Sequence, residues 1–328
     1  MPDMGEKMFT YSRLSSQSVC RLIESNYTVA GPLRCKFYVR GLHDNYLIEG
    51  PGEKYIFRIY RNDWRTPEQV MFELELLAYV SDNGAPVAAM LRTAGGELAC
   101  AVDSVEGQRQ AALFNYADGI APGNDIAAAE CELLGNAVAN IHSISQEFQT
   151  AYSRPLLEIP YLLDESITAI EPFIDAEAQT YLKTLQWRIR QKMPTLPKSP
   201  GLYGICIGDV NPTNFHINGD NRTTVFDFYQ CGYGYRAFEI GKFISSLTAQ
   251  KHKHELSRAF VDGYQQVRRL SSDEIRAIPL FEIISVIWVM AIHVYNVERI
   301  GYKLLEKPFW DRGLARVKNL ESELETTS

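Results

Sequence analysis

The stretch Ile207-Gly208-Asp209-Val210-Asn211-Pro212-Thr213-Asn214, followed by Val225-Phe226-Asp227-Phe228, decides how this chain is read. It sets an aspartate, an asparagine five residues on, and a second aspartate thirteen residues after that. Between the last two lie the β-prone runs Phe215-His216-Ile217 and Thr223-Thr224-Val225-Phe226, around Asn218-Gly219-Asp220-Asn221. Asn-Gly is a strong hairpin signal. With the turn centred there, facing positions have numbers that sum to about 441, which sets Asn214 opposite Asp227. Neighbouring strands lie about 5 Å apart. An amide oxygen and a carboxylate from those two ends can therefore share one hard divalent cation, whose oxygen ligands lie at roughly 2.1 Å. Asp209, one loop earlier, is left to accept a proton. A proton acceptor beside two oxygen ligands is the donor set that phosphoryl transfer uses.

This segment resembles the catalytic and metal-binding region of the aminoglycoside phosphotransferase and choline kinase superfamily, where His-Gly-Asp is followed by Asn and then a metal-binding Asp. The resemblance implies ATP as phosphate donor, Asp209 as catalytic base, and Asn214 and Asp227 as Mg²⁺ ligands. The run Gly232 to Gly241 is similar to the family's Gly-x-x-x-x-Asp-hydrophobic-Ala segment, with Glu239 in place of Asp. That change keeps the carboxylate and lengthens its reach by one methylene. Ile207 stands where the family carries a His that braces the catalytic loop, so catalytic efficiency is the property this departure puts in question.

Composition narrows the class. The 328 residues are 46% hydrophobic, enough for a packed core in one large domain or two lobes. A net charge of -7 and a pI near 5.5 argue against a nucleic-acid binder, which carries a basic face. The six cysteines, at 20, 35, 100, 131, 206 and 231, include no Cys-x-x-Cys pair, and buried thiols in a reducing compartment are expected. Met1 to Tyr11 lacks an apolar segment, and the run Ile283 to Ile292 is shorter than a membrane span requires. These features predict a cytoplasmic protein with no membrane partner. They assign no oligomeric state.

The first hundred residues read as strands around one helix. Phe37-Tyr38-Val39-Arg40, Asn45-Tyr46-Leu47-Ile48 and Tyr55 to Tyr60 are strand-like. Thr66-Pro67-Glu68 opens a helix with a cap and a first-turn Pro. A further hairpin is expected between Met90-Leu91 and Leu98 to Val102, around Gly95-Gly96. By the resemblance, Arg58 stands at the phosphate-contacting Lys of the small lobe and Glu73 is the helix carboxylate that pairs with it. Alternation puts Arg58 on one strand face with Ile56 and Tyr60, and Arg61 on the other. No Gly-x-Gly-x-x-Gly precedes the strand; His43-Asp44-Asn45 resembles the family's Asn-containing phosphate loop. Ala101 to Gly107 is similar to the family's hinge strand, where the main chain of Asp103 and Val105 would meet adenine. That places a nucleotide-binding lobe at 1–106 and a catalytic and substrate-binding lobe at 107–328.

Helical patterning dominates from about Ile126, with Ala176 to Lys192, Phe238 to Thr248, His254 to Val267 and Leu280 to Glu298 as further helices. His142 ends one of them and is expected to be a structural hydrogen-bonder. His252 and His254 lie on a charged stretch with poor metal spacing. In the family the late helices line the acceptor pocket, which implies His293 and Asn296 as substrate contacts, with Trp288 packed in the core. The fold class implied is α+β: a two-lobed protein-kinase-like fold with a small antiparallel-sheet lobe and a larger, mainly helical one. The function implied is transfer of the ATP γ-phosphate to a hydroxyl of a small molecule such as an aminoglycoside, choline or homoserine. A protein Ser/Thr kinase of the bacterial stress-response type and a nucleotide-binding pseudokinase are the alternatives.

Overall fold

The computed structural model describes residues 11–248 and 250–327. They fall into two compact units, the first running to Asp118 with Phe148–Ser153 added, the second comprising Gly119–Glu147 and the chain from Arg154 onward. The expected antiparallel-sheet unit and helical unit are both present.

The first unit opens with α1 (Ser16–Asn26), which was not anticipated from sequence. Ser15 caps it by accepting the Ser18 N–H, and Val19 and Ile23, one turn apart, bury its inner stripe. That cap and the i,i+4 pair were the available signal, on a helix only 11 residues long. Cys20 of α1 is disulfide-bonded to Cys35 at the head of β1 (Arg34–Arg40), so these two are not the buried free thiols expected; Cys100, Cys131, Cys206 and Cys231 are. The strands β2 (Asp44–Glu49) and β3 (Lys54–Ile59) follow, and α2 (Pro67–Asp82) starts at a capping box of Thr66 with Gln69. Then come β4 (Met90–Leu91), β5 (Cys100–Ser104) and β6 (Gly107–Asn115). The antiparallel order is β1-β2-β3-β6-β4, with β5 also paired to β6. Tyr46, Ile48, Phe57, Ile59, Val102 and Leu113 form one core with Val19 and Ile23.

Two sequence expectations fail here for one reason. Met90-Leu91 does not pair with Leu98 to Val102, because β4 and β5 both pair with the long strand β6. Nor do Ala101 to Gly107 form a strand leading out of the unit. Ser104 faces Gly107 across a two-residue turn, leaving Val105 69% exposed and Asp103 within the hairpin opposite Gln108. Gly107, at φ 118°, permits that turn and was read as the end of a strand. The chain instead returns through β6 and leaves the unit at Asp118, so the boundary lies there rather than between 106 and 107. Phe148 comes back to this unit and packs on Phe72 and Tyr79 of α2, at ring-centroid distances of 5.8 and 5.6 Å.

The second unit contains α3 (Ala128–Ile144), a π-helical turn at Pro160–Glu165 that runs into α4 (Ser166–Ile170), and α5 (Ala176–Lys192). Strand β7 (Tyr203–Cys206) pairs with β10 (Gly232–Tyr235), and β8 (Phe215–Ile217) with β9 (Thr223–Val225). The rest is helical: α6 (Arg236–Ser246), α7 (Lys253–Gln265), α8 (Ser272–Tyr295), α9 (Val297–Ile300) and α10 (Lys307–Thr327). Helix α8 begins well before the expected Leu280, because Ser271 and Glu274 form a capping box and Pro279 is accommodated inside the helix. By length and composition its 24 residues could cross a membrane, which the apolar run alone could not, but here α8 is mostly buried against α4, α6 and α10.

Helices α3 and α7 cross at backbone contact. A Cβ on Gly135 would lie 2.0 Å from the Phe260 carbonyl oxygen, and one on Gly263 would lie 2.0 Å from that of Glu132. Only glycine fits either position, and the crossing sets His142 of α3 against Tyr264 of α7. We expect Gly135→Ala to destabilise the protein by about 1–3 kcal/mol through overpacking. Denaturant unfolding at constant m-value checks this, and an unchanged midpoint would contradict the close crossing.

Candidate active site

Strand β7 delivers the chain into the loop 207–214. Ile207 is fully buried, and what it offers the loop is its main chain: its N–H donates to Glu239 Oε2, while the Gly208 N–H donates to Glu239 Oε1 at 3.0 Å. Gly208 has φ 86°, and a Cβ there would sit 2.3 Å from the Gln230 carbonyl oxygen, so the turn into Asp209 requires glycine. Glu239 is itself backed by His142, whose Nε2 lies 3.4 Å from Oε2, and the His142 Nδ1 lies 2.9 Å from the Tyr264 hydroxyl. Burial pushes the Tyr264 phenol well up, so the hydroxyl keeps its proton, and since a Glu239 carboxylate needs a donor at Nε2, the remaining Nδ1 accepts from that hydroxyl. The imidazole proton is thereby assigned to Nε2, facing the carboxylate. Burial, then the charges of Arg236 and Arg268, hold His142 well below its usual range, so the ring is neutral.

This relay of Tyr264, His142 and Glu239 supplies the brace that Ile207 lacks. The two oxygens of the Glu239 carboxylate take two successive amides. Cys206 Sγ lies close by, within 4.8 Å of the His142 and Glu239 donor atoms. Its thiol is pushed well up by burial and donates to the Tyr235 carbonyl at 3.6 Å, while the carboxylate oxygens of Glu239 are engaged by amides.

Asp209 is held from three sides. Its Oδ1 lies 2.8 Å from Lys242 Nζ, and its Oδ2 accepts from Asn214 Nδ2 at 3.1 Å and from the Tyr229 hydroxyl at 3.3 Å. Asn214 Nδ2 also donates to the Asp209 carbonyl at 2.9 Å, which commits its amide nitrogen and makes Oδ1 the atom that could meet a cation. Asn211 shapes the loop between them, its Oδ1 accepting the Thr213 N–H at 2.9 Å and its Nδ2 donating to the Asp209 carbonyl at 3.1 Å. Lys242 was missed from sequence. The signal was a lysine three residues after Glu239 in a run that is otherwise apolar or small.

The β8–β9 register differs by one residue from expectation. Phe215 faces Val225 and Ile217 faces Thr223, so Asn214 meets Phe226, whose N–H donates to the Asn214 carbonyl at 3.0 Å. The connection, 218–222, has an odd number of residues because Asn218 Oδ1 accepts the N–H groups of both Asp220 and Arg222. Asp227 therefore falls one residue past the pair, and there the backbone turns left-handed, at φ 71°. Asp tolerates that conformation better than most residues, and it breaks the strand alternation that would have set the pattern of side-chain faces. The oxygen donors of Asn214 and Asp227 suit a hard cation such as Mg²⁺.

In the first unit, Asn45 and Arg58 face each other across β2 and β3. Arg58 donates from Nε to Asn45 Oδ1 at 3.1 Å and from one terminal nitrogen to Glu73 Oε1 at 3.5 Å. Tyr60 donates its hydroxyl to the same Glu73 oxygen at 3.0 Å, and Glu73 is buried. The expected Arg58–Glu73 pair is formed, and the side chain of Asn45 serves to orient it. Arg61 points elsewhere, to Asp63. In the second unit, His293 Nδ1 lies 2.8 Å from the Val289 carbonyl and its ring lies against Phe309, while Asn296, buried, donates to the Ile292 carbonyl at 2.7 Å. Both side chains are thus engaged with α8's own backbone. Trp288 is core, packed on Phe238 and Tyr161.

Burial raises the Glu239 carboxyl to about 7, against the two amides and Lys242, which lower it. A carboxyl raised on folding keeps its proton where the unfolded chain has lost it. Its contribution to stability therefore falls as pH rises from about 4.5 to about 7 and is flat above. Comparing wild type with Glu239→Gln in unfolding experiments from pH 5 to 8 isolates this residue from His142 and Cys206 beside it. The gap should shift in favour of the variant across that window. A pH-independent gap contradicts the raised value.

A family model described as "Phosphotransferase enzyme family" matches residues 35–275. An uncharacterized protein of Synechocystis sp. is 33% identical over 314 residues, covering 95% of this chain and 87% of that protein. A homoserine kinase of Nitrobacter winogradskyi is 23% identical over 286 residues, covering 83% and 82% of the two chains. Among solved structures, the amicoumacin kinase hAmiN, in complex with AMP-PNP, Ca²⁺ and Ami, superposes with a TM-score of 0.77 at 20% identity, covering 94% of each chain. With the two-unit fold and the Asp209 loop beside them, these likenesses settle the assignment: the chain belongs to the phosphotransferase enzyme family, kinases of small molecules that use a hydroxyl as acceptor.

Proposed function

We propose that this protein transfers the γ-phosphoryl group of ATP to the hydroxyl of a small-molecule alcohol, with Mg²⁺ bound by Asn214 and Asp227. The observation that carries the reading is the Asp209 carboxylate, fixed by Lys242, Asn214 and Tyr229 at the end of a braced loop. A carboxylate so held accepts the proton of an incoming hydroxyl without searching for its orientation. As the hydroxyl oxygen bonds to the γ-phosphorus, its proton passes to Asp209 and the bond to the β,γ-bridging oxygen breaks, with the electron pair leaving on ADP. Mg²⁺, when bound, supplies charge neutralisation at the β and γ phosphates. In the first unit, Arg58, oriented by Asn45 and Glu73, is assigned to the α and β phosphates. Its planar fork suits two phosphate oxygens where a lysine offers a point charge.

The nucleotide is supported by the AMP-PNP bound to hAmiN, and a hydroxyl-bearing metabolite or antibiotic by the homoserine and amicoumacin kinases. Dependence on ATP favours the cytoplasm as the setting. The pseudokinase alternative drew its weight from Ile207 and from Glu239 in place of Asp; the hydrogen bonds that Glu239, backed by His142, takes from the Ile207 and Gly208 N–H groups support transfer instead.

Asp209→Asn should lower turnover by about 10²–10⁴-fold while nucleotide affinity is retained. Phosphate transfer from ATP across a panel of alcohols that includes homoserine and aminoglycosides, with calorimetric nucleotide binding alongside, tests this. Equal turnover in the variant, or binding with no transfer by wild type to any alcohol, would sink the reading.

A further inference from the structure

We propose that Lys242 is a second catalytic residue, its ammonium forming a subsite for a non-bridging oxygen of the phosphoryl group in flight; this rests on the phosphotransferase reading above. Lys242 is only 4% exposed, on a helix whose other residues at this face are buried. An ammonium has three hydrogens to donate. Among the described residues its one ion-pair partner is Asp209 Oδ1, at 2.8 Å. No further protein acceptor among the described residues meets the ammonium, which leaves two of its donor directions open to another anion. Burying a charge is costly unless it is paired and hydrogen-bonded, so a cation left short of acceptors asks for another anion.

The chemistry supplies that anion. To hand over its proton, the acceptor hydroxyl must come within about 2.6–3.2 Å of Asp209. The ammonium on the neighbouring carboxylate oxygen then lies about 5 Å from the attacking oxygen, and an oxygen one bond beyond phosphorus comes within hydrogen-bond reach. During transfer the acceptor proton moves to Asp209, the new O–P bond forms, and the bond to the β,γ-bridging oxygen breaks with its electron pair leaving on ADP. Lys242 stays protonated throughout and donates to the equatorial oxygens where charge is spread. Glu239 and Lys242, three residues apart on α6, thus serve the loop with separate tasks: one holds the backbone and the other holds base and phosphoryl group.

The experiment is calorimetric titration of Mg²⁺·ADP with and without aluminium fluoride, which mimics the transferring phosphoryl group. In Lys242→Met the tightening produced by fluoride should fall by about tenfold or more, with Mg²⁺·ADP affinity in its absence within about threefold of wild type. Lys242→Arg should recover part of the gain. Lys242→Gln, neutral but still a donor, serves in the same comparison should the methionine variant not fold. An undiminished fluoride gain in a folded neutral variant overturns the proposal. So does an equal loss of affinity with and without fluoride, which would make Lys242 a residue that only holds Asp209 in place. A wild-type protein that binds Mg²⁺·ADP with no fluoride gain overturns the subsite alone, whereas one that does not bind Mg²⁺·ADP at all overturns the parent reading as well.

Discussion

One carboxylate carries the segment that leads into Asp209. Glu239, buried on α6, takes two consecutive backbone N–H groups, and without it both would be buried donors lacking an acceptor. A lost acceptor in such surroundings costs roughly 1–3 kcal/mol for each group. The energy matters less than the geometry, because those two amides immediately precede Asp209. Their positions are set by helix packing, so the loop inherits the rigidity of the core. Tyr264 and His142 extend the same wiring back to α7 and α3, whose close crossing depends on two glycines.

The arrangement also explains how a sequence departure can leave a site intact. The side chain at position 207 is aliphatic and fully buried, so it contributes packing and no hydrogen bond. The hydrogen bonds that hold its main chain come from Glu239, 32 positions later in the chain, which His142 backs across the fold.

Much of this was legible in the chain. The Asp209–Asn214–Asp227 spacing, the Asn-Gly turn and the alternation that separated Arg58 from Arg61 are local patterns, which sequence reports well, while the Arg58–Glu73 pair came from the family resemblance. What was not legible depended on counting or on tertiary contact. The hairpin register slipped by one because Asn218 captures two amides and lengthens its turn. Val105 was read as part of a connecting strand because a left-handed glycine and a strand-ending glycine look alike in letters. Lys242 carried no local signal of its partner, since its meaning comes from the aspartate it meets across the fold. The Cys20–Cys35 bond likewise has no spacing motif to announce it.

A last consequence concerns Arg109, which is almost wholly buried on β6. Its guanidinium donates to the carbonyls of Ser12, Ile59 and Tyr60 and to the carboxylates of Asp44 and Glu106. One planar group thus ties the stretch before α1 to the loop entering β2, the end of β3 and the β5–β6 turn. Lysine carries the same charge but gathers its three hydrogens at a single point, so it cannot reach acceptors spread around a plane. The position therefore selects its occupant by shape, and electroneutrality alone would not preserve this corner of the sheet.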